Sequence, residues 1–412
     1  MTKRKDIFLI VICWMTYTLA QLGRYSYGAN ITLIMERFAV GHAYASLPAT
    51  LFFFAYGVGQ ILVGFFCHKF NRRLLVAFAL AVSGAVNLSI FFGAPFISIK
   101  YLWLLNGFAQ ANLWPAMVFI VKENISAERI EKAGVILATA STGGRFAAIG
   151  VCAVFAIDVE KFMYCFLSAG ILLLIMATTF LFATGKLKKP EPEKVRAKGR
   201  KDPELKPDKK AVILLLLFGE FSLACYAISG GLQSWVPVIL KDSYGLSDAF
   251  SIFMSVMLPL FTLTSAVITP FLHRKLKNYV LISFLSFVFG AAMITGVMLF
   301  LGVHWLLVTV MFTAEAVTMG IIANATTVNV PLTFNGKFNA GFLAGFLNGA
   351  CYVGAAIATY VLGNIADESG WNDAFILLIA IAAVSALFAA AYLIIQRKSK
   401  REYMEYDYDK LD

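Results

Sequence analysis

Four charged residues, Arg24, Arg145, Glu220 and Glu315, lie inside long apolar runs of this chain. A charge at the centre of a bilayer costs on the order of 3 kcal/mol on insertion scales, so each needs a partner, a cavity or a use. A guanidinium carries a planar fork of donors that grips two oxygens of a carboxylate, sulfonate or phosphate at once. Lysine does not reproduce that geometry. Two guanidiniums in apolar surroundings therefore point to recognition of an anion. A carboxyl in the same setting has its charged form disfavoured and can take up a proton, which makes Glu315 a candidate proton-coupling site. The structural alternative pairs Arg24 and Arg145 with Glu315 and Glu220 in static ion pairs.

Helical phase, at 100° per residue, sorts the polar residues that accompany these charges. Cys13, Tyr17, Gln21, Arg24 and Gly28 share one face of the first apolar run. Ser141, Thr142 and Arg145 share another. Asn106, Gln110 and Trp114 recur at i, i+4 and i+8. Later in the chain the stripes are Ser222, Tyr226, Ser229 and Gln233, then Glu315, Thr318, Thr326 and Asn329, while Glu220 falls opposite its neighbouring stripe. Narrow polar stripes on apolar helices suit a solute-binding interior. Arg24 is the expected primary anion contact and Arg145 the second. Tyr17, Gln21, Gln110, Trp114, Ser229, Gln233, Asn348 and Tyr352 are expected to shape the binding space.

The elements that must position these groups follow from composition. Of 412 residues 60% are apolar and 14% charged, and the mean hydropathy is +0.77. A soluble domain has about 45–50% apolar and about 25% charged residues. Two apolar blocks, 7–184 and 211–396, each hold about six spans of roughly 20 residues. The expected spans are 7–35, 44–67, 74–93, 98–121, 133–156, 162–184, 211–240, 248–272, 279–301, 304–330, 338–363 and 371–396. This excludes a soluble enzyme, a nucleic-acid binder and an outer-membrane barrel. With the N-terminus inside, 29 of the 35 Lys and Arg residues fall in cytoplasmic segments, so both termini are expected in the cytoplasm of a multi-pass plasma-membrane protein. The net charge of +11 reflects that bias. The six cysteines show no paired spacing and read as packing residues. No metal site or cofactor is expected.

The 185–210 stretch carries eleven basic residues, five acidic residues and four prolines, a composition that cannot fold alone. It divides the chain into a six-helix half at 1–184, a cytoplasmic linker at 185–210, a second six-helix half at 211–396 and a cytoplasmic tail at 397–412. The halves repeat weakly. Gly64 to Lys69 matches Thr269 to Arg274 at a shift of 205, and Ala133-Gly134 matches Ala340-Gly341 at 207. Under the second shift Ser141 and Arg145 fall on Asn348 and Tyr352. Gly341, Gly345 and Gly349 form a small-residue ridge that lets a neighbouring helix approach. An all-α membrane protein of twelve transmembrane helices in two pseudo-symmetric halves resembles the major facilitator architecture.

Several local patterns resemble the organophosphate:phosphate antiporter family of major facilitator transporters. Arg24 lies where that family keeps a phosphate-binding arginine. Gly107-Phe-Ala-Gln110-Ala-Asn-Leu-Trp114-Pro115 is similar to its fourth-span pattern. Trp235-Val-Pro237 with Leu240-Lys241 is similar to the end of its seventh span. Gly349, Gly354-Ala355-Ala356, Tyr360, Gly363, Asp367 and Gly370-Trp371 are similar to its eleventh span and the loop after it. The chain also departs from the family. Ser229 stands where the family has a second substrate arginine, Ala140 where it has a histidine, and His68 where the facilitator loop has an aspartate. Arg145 is placed to supply the missing charge. The resemblance implies exchange of a small organic anion, such as a sugar phosphate or sugar acid, by a non-enzymatic secondary transporter for which a monomer suffices. A proton-coupled symporter using Glu315 and a transporter-like membrane sensor are the alternative readings.

Overall fold

The structure is a computed structural model that describes residues 3–66, 70–185, 208–333, 338 and 340–398. The expected linker between 186 and 207, the tail from 399 and the His68-Lys69 end of the first repeat match lie outside the described residues. The first half contains α1 (Lys3–Ala29), α2 (Ile31–Phe38), α3 (His42–Phe66), α4 (Arg72–Phe91), α5 (Phe96–Gln110), α6 (Leu113–Asn124), α7 (Ala127–Phe155) and α8 (Tyr164–Ala183). After the linker come α9 (Lys209–Gln233), α10 (Val236–Tyr244), α11 (Asp248–Ser255), α12 (Met257–Thr262), α13 (Ser265–Leu276) and α14 (Tyr279–Phe300). The chain ends in α15 (Trp305–Asn324), a π-helical turn at Ala325–Asn329, α16 (Val330–Thr333), α17 (Ala340–Glu368) and α18 (Trp371–Lys398). Among the described residues there is no strand.

Eleven helical stretches among the described residues are long and apolar enough to cross a bilayer, each at one of the expected spans. The remaining expected span, the fifth, is α7, a helix of 29 residues that carries Arg145 and is not among the eleven. Several spans are broken, and proline accounts for four of the breaks. A proline lacks the N–H for the helical ladder and crowds the carbonyl four residues back. Counting four back from Pro115, Pro237, Pro259 and Pro331 lands at or beside the end of α5, α9, α11 and in the π turn after α15. Elsewhere the ends are set by caps. Asn71, Asp208 and Asn278 accept backbone N–H bonds at the starts of α4, α9 and α14, and Gly245 ends α10 in the left-handed conformation.

Contacts group the described residues into two units, one from 1–40, 45–205 and 247–256 and the other from 41–44, 206–246 and 257–412. Each unit thus takes in a short piece of chain from the other half of the sequence. In the first unit α1 packs on α7 and α8, and α4 on α8. In the second, α9 packs on α17 and α18, and α14 on α18. The same adjacency therefore occurs twice, which is the sequence repeat expressed as packing. Large apolar side chains such as Phe182, Val267 and Leu216 are exposed. On a soluble protein they would be a liability, but in a bilayer lipid solvates them.

The α9–α17 contact is close. A Cβ at Gly354 would run into the backbone carbonyl of Leu223, and one at Gly231 would lie 2.5 Å from the Cβ of Ala358. A small-residue approach on α17 is thus made at Gly354. Backbone against backbone cannot yield by a rotamer change. Gly354→Leu is accordingly expected to destabilise the protein by about 3 kcal/mol, read as a lower melting temperature in detergent.

Candidate functional site

In the first unit Arg24 lies late in α1, nearly buried at 5% exposure. Its Nε donates to Gln110 Oε1 at 3.4 Å. Its guanidinium carbon sits 4.1 Å from the centroid of the Tyr56 ring and 5.4 Å from that of Phe52. The quadrupole of an aromatic face attracts a cation at these separations. The rings of Tyr17 and Trp114 meet at 5.1 Å. Gln21 is buried, and its Nε2 has no hydrogen-bond partner among the described residues. Gly144 of α7 makes room for it, since a Cβ there would stand 2.7 Å from Gln21 Cγ and 2.8 Å from the Thr18 carbonyl.

Arg145 is partly buried, with its guanidinium carbon 4.8 Å from the centroid of the Tyr25 ring. The two arginines therefore have different aromatic partners, both from the first unit. Phase reasoning placed Arg24, Gln21 and Tyr17 together, and Gln110 and Trp114 join them from α5 and α6. It missed Tyr56, Phe52 and Tyr25. Phe52 and Tyr56 are spaced i, i+4 on α3, a signal that an otherwise aromatic-rich span obscures.

In the second unit Tyr226 and Tyr352 meet edge to face, with ring centroids 5.6 Å apart. They lie on the closely packed helices α9 and α17, which also carry the partly buried Ser229, Gln233 and Asn348. The two carboxylates of this unit have different surroundings. Glu220 Oε1 accepts from Ser385 Oγ of α18 at 2.6 Å, and Oε2 has no partner. Glu315 is 1% exposed, and neither of its carboxylate oxygens has a hydrogen-bond partner among the described residues. Neither acid is thus held in the static ion pair that was one sequence-level alternative. Among the described residues no group of three or more His, Cys, Asp or Glu is placed to hold a metal ion.

Three motif residues of the family resemblance also come together in the second unit. Asp367 accepts from the backbone N–H of His42 at 2.9 Å and of Ala43 at 2.8 Å, and its Oδ1 lies 2.6 Å from His42 Nδ1. The rings of Trp235 and Trp371 each lie 5.5 Å from that of His42.

Repeated bundles of long apolar helices with buried guanidinium, amide, phenol and carboxyl groups define a multi-pass membrane protein. The chain belongs to the Major Facilitator Superfamily, whose family model matches residues 13–359. Among curated proteins it is 29% identical over 107 residues to the membrane sensor protein UhpC of Escherichia coli strain K12, covering 26% of this chain and 24% of that protein. It is 28% identical over 102 residues to UhpC of Salmonella typhimurium, covering 25% and 23%. The chain thus matches about a quarter of the length of these relatives. Among solved structures it is similar to a bacterial homolog of the human lysosomal transporter Spinster, in an inward-facing and occupied conformation. The TM-score is 0.77 at 14% identity, over 98% of this chain and all of the other. The nucleoside transporter NupG gives a TM-score of 0.70 at 14% identity, over 94% and 99%. At such identities the likeness is one of fold.

Proposed function

We propose that the protein is a secondary active transporter of a small organic anion, such as a sugar phosphate or sugar acid, working by alternating access and by exchange for another anion. The observation that carries this reading is the nearly buried Arg24, oriented by the neutral amide of Gln110 and the ring of Tyr56. A buried guanidinium held against an amide and an aromatic ring presents the planar donor fork that suits two oxygens of an anion. Gln21 adds a buried amide donor with no partner among the described residues, and such a donor costs free energy until a ligand satisfies it. Arg145, Tyr17 and Trp114 complete the first unit's contribution. Ser229, Gln233, Asn348 and Tyr352 are the proposed contacts from the second. The protein acts as a monomer in the plasma membrane with both termini in the cytoplasm.

A thermal-shift screen of the purified protein tests this reading, because a ligand that prefers the folded state raises the melting temperature. Sugar phosphates, sugar acids or sulfonates should raise it, and their uncharged parent sugars should not. Stabilisation by the parent sugars alone would refute the anion assignment.

Two observations favour second readings. The unbonded oxygens of buried Glu315 suit a proton-coupled symporter, in which uptake follows an inward proton gradient. The partial likeness to a membrane sensor protein suits a sensor, in which the anion binds without flux.

A further inference from the structure

Behind Arg24 lies a set of buried amides and hydroxyls that the transport reading does not use. Gln110 Nε2 donates to Ser83 Oγ at 2.9 Å and to Asn106 Oδ1 at 3.0 Å. Asn106 Nδ2 donates to the carbonyl of Gly23, the residue before Arg24, at 3.0 Å. Asn87 Nδ2 donates to the same carbonyl at 3.2 Å and to the Ser83 carbonyl at 2.8 Å, and Asn87 Oδ1 accepts from Ser26 Oγ at 2.9 Å. All these side chains are buried, Asn87, Asn106 and Gln110 completely.

The direction of every amide in this set is determined. A backbone carbonyl only accepts, so Asn106 and Asn87 must turn their NH2 groups toward Gly23. That leaves Asn106 Oδ1 facing Gln110, which must answer with its own NH2. Both hydrogens of Gln110 are then used, one on Asn106 and one on Ser83. Its carbonyl oxygen has to face Arg24 Nε. The reverse orientation would set two amide oxygens 3.0 Å apart in a buried site, an uncompensated repulsion.

We infer that Asn106 and Ser83 are positioning residues for Arg24, acting through Gln110 to fix the amide polarity that aims the guanidinium. Gln110, Asn106 and Ser83 are all uncharged, so this set orients the guanidinium without adding a negative charge beside it. A carboxylate at position 106 or 110 would also hold the guanidinium, but it would compete with an anionic solute. The positioning itself stands on hydrogen bonding within the first unit. Its consequence for solute binding rests on the anion reading above.

Phenylglyoxal, an arginine-selective dicarbonyl, tests both parts on the full-length protein, with modification of the Arg24 peptide followed by mass spectrometry. Asn106→Leu should speed modification of Arg24 about tenfold, the worth of one lost buried hydrogen bond. In a Gln110→Leu background the same change should accelerate modification far less, because only the bond to the Gly23 carbonyl is then left to lose. Ser83→Ala is the second variant should Asn106→Leu fail to fold, and it should behave in the same way. Unchanged modification in these variants, or equal acceleration with and without Gln110, would overturn the inference. Inorganic phosphate should protect Arg24 in the wild-type protein and about tenfold less well in Asn106→Leu. If the modification pattern holds but phosphate and organic anions give no protection, the positioning role stands and the anion reading falls.

Discussion

Arg24→Lys is expected to weaken solute binding about 100-fold, equivalent to about 2.7 kcal/mol, while the melting temperature changes by only a few degrees. Arginine at this place does three things at once. Its Nε bonds the Gln110 oxygen and its guanidinium carbon sits over the Tyr56 ring, and a guanidinium fork is of the kind that binds two oxygens of an anion. A lysine ammonium retains the charge but not the plane or the fork. The loss should therefore exceed that of an exposed charge, for which the typical effect is under about 1 kcal/mol. Equilibrium binding to purified variants reads it. Retention of wild-type affinity by Arg24→Lys would show that a diffuse positive charge is sufficient, and the oriented-guanidinium account would be wrong.

Glu315 gives the second large effect. A buried carboxyl whose two oxygens lack partners carries a desolvation penalty of about 1–3 kcal/mol that nothing nearby offsets. Glu315→Leu is expected to raise the melting temperature by about 3 °C, since a well-packed apolar side chain relieves that penalty. A residue retained at such a cost suggests use. Glu315→Gln keeps the shape and removes the proton site, so any uptake that follows an inward proton gradient should disappear while counter-anion exchange continues. Full gradient-driven uptake by Glu315→Gln would exclude this carboxyl as the coupling group. A lower melting temperature in Glu315→Leu would mean that the side chain has a stabilising partner after all.

The spans were legible because lipid imposes a single strong rule: each apolar run must satisfy its backbone internally, so it becomes a helix about as long as the run. The breaks within those helices beside Pro115, Pro237, Pro259 and Pro331 were not read from the sequence, although proline chemistry explains them. The repeat seen at Ala133-Gly134 and Ala340-Gly341 reappears as equivalent packing of α1 on α7 and α9 on α17. Arg24, Gln21 and Tyr17, which polar phase put on one face, are all buried on α1.

Sequence periodicity could not reach contacts made across helices. Tyr56 beneath Arg24, Tyr25 beneath Arg145 and Ser385 against Glu220 come from separate spans, and nothing local relates their phases. Ser83 and Asn87 stand i, i+4 on α4, the spacing of a polar stripe, yet their partners on α1 and α5 are visible only in three dimensions. Gly354 shows the same limit: its close backbone approach exists because Leu223 of another span lies opposite it.

The most direct test of the central claim compares one anionic solute from the screen with its uncharged analogue, each measured by equilibrium binding to wild-type protein and to Arg24→Gln. Wild-type protein should bind the anion about 100-fold more tightly than the analogue, and in Arg24→Gln that preference should vanish while affinity for the analogue changes little. Equal affinities in the wild type, or an undiminished preference for the anion in Arg24→Gln, would contradict the assignment.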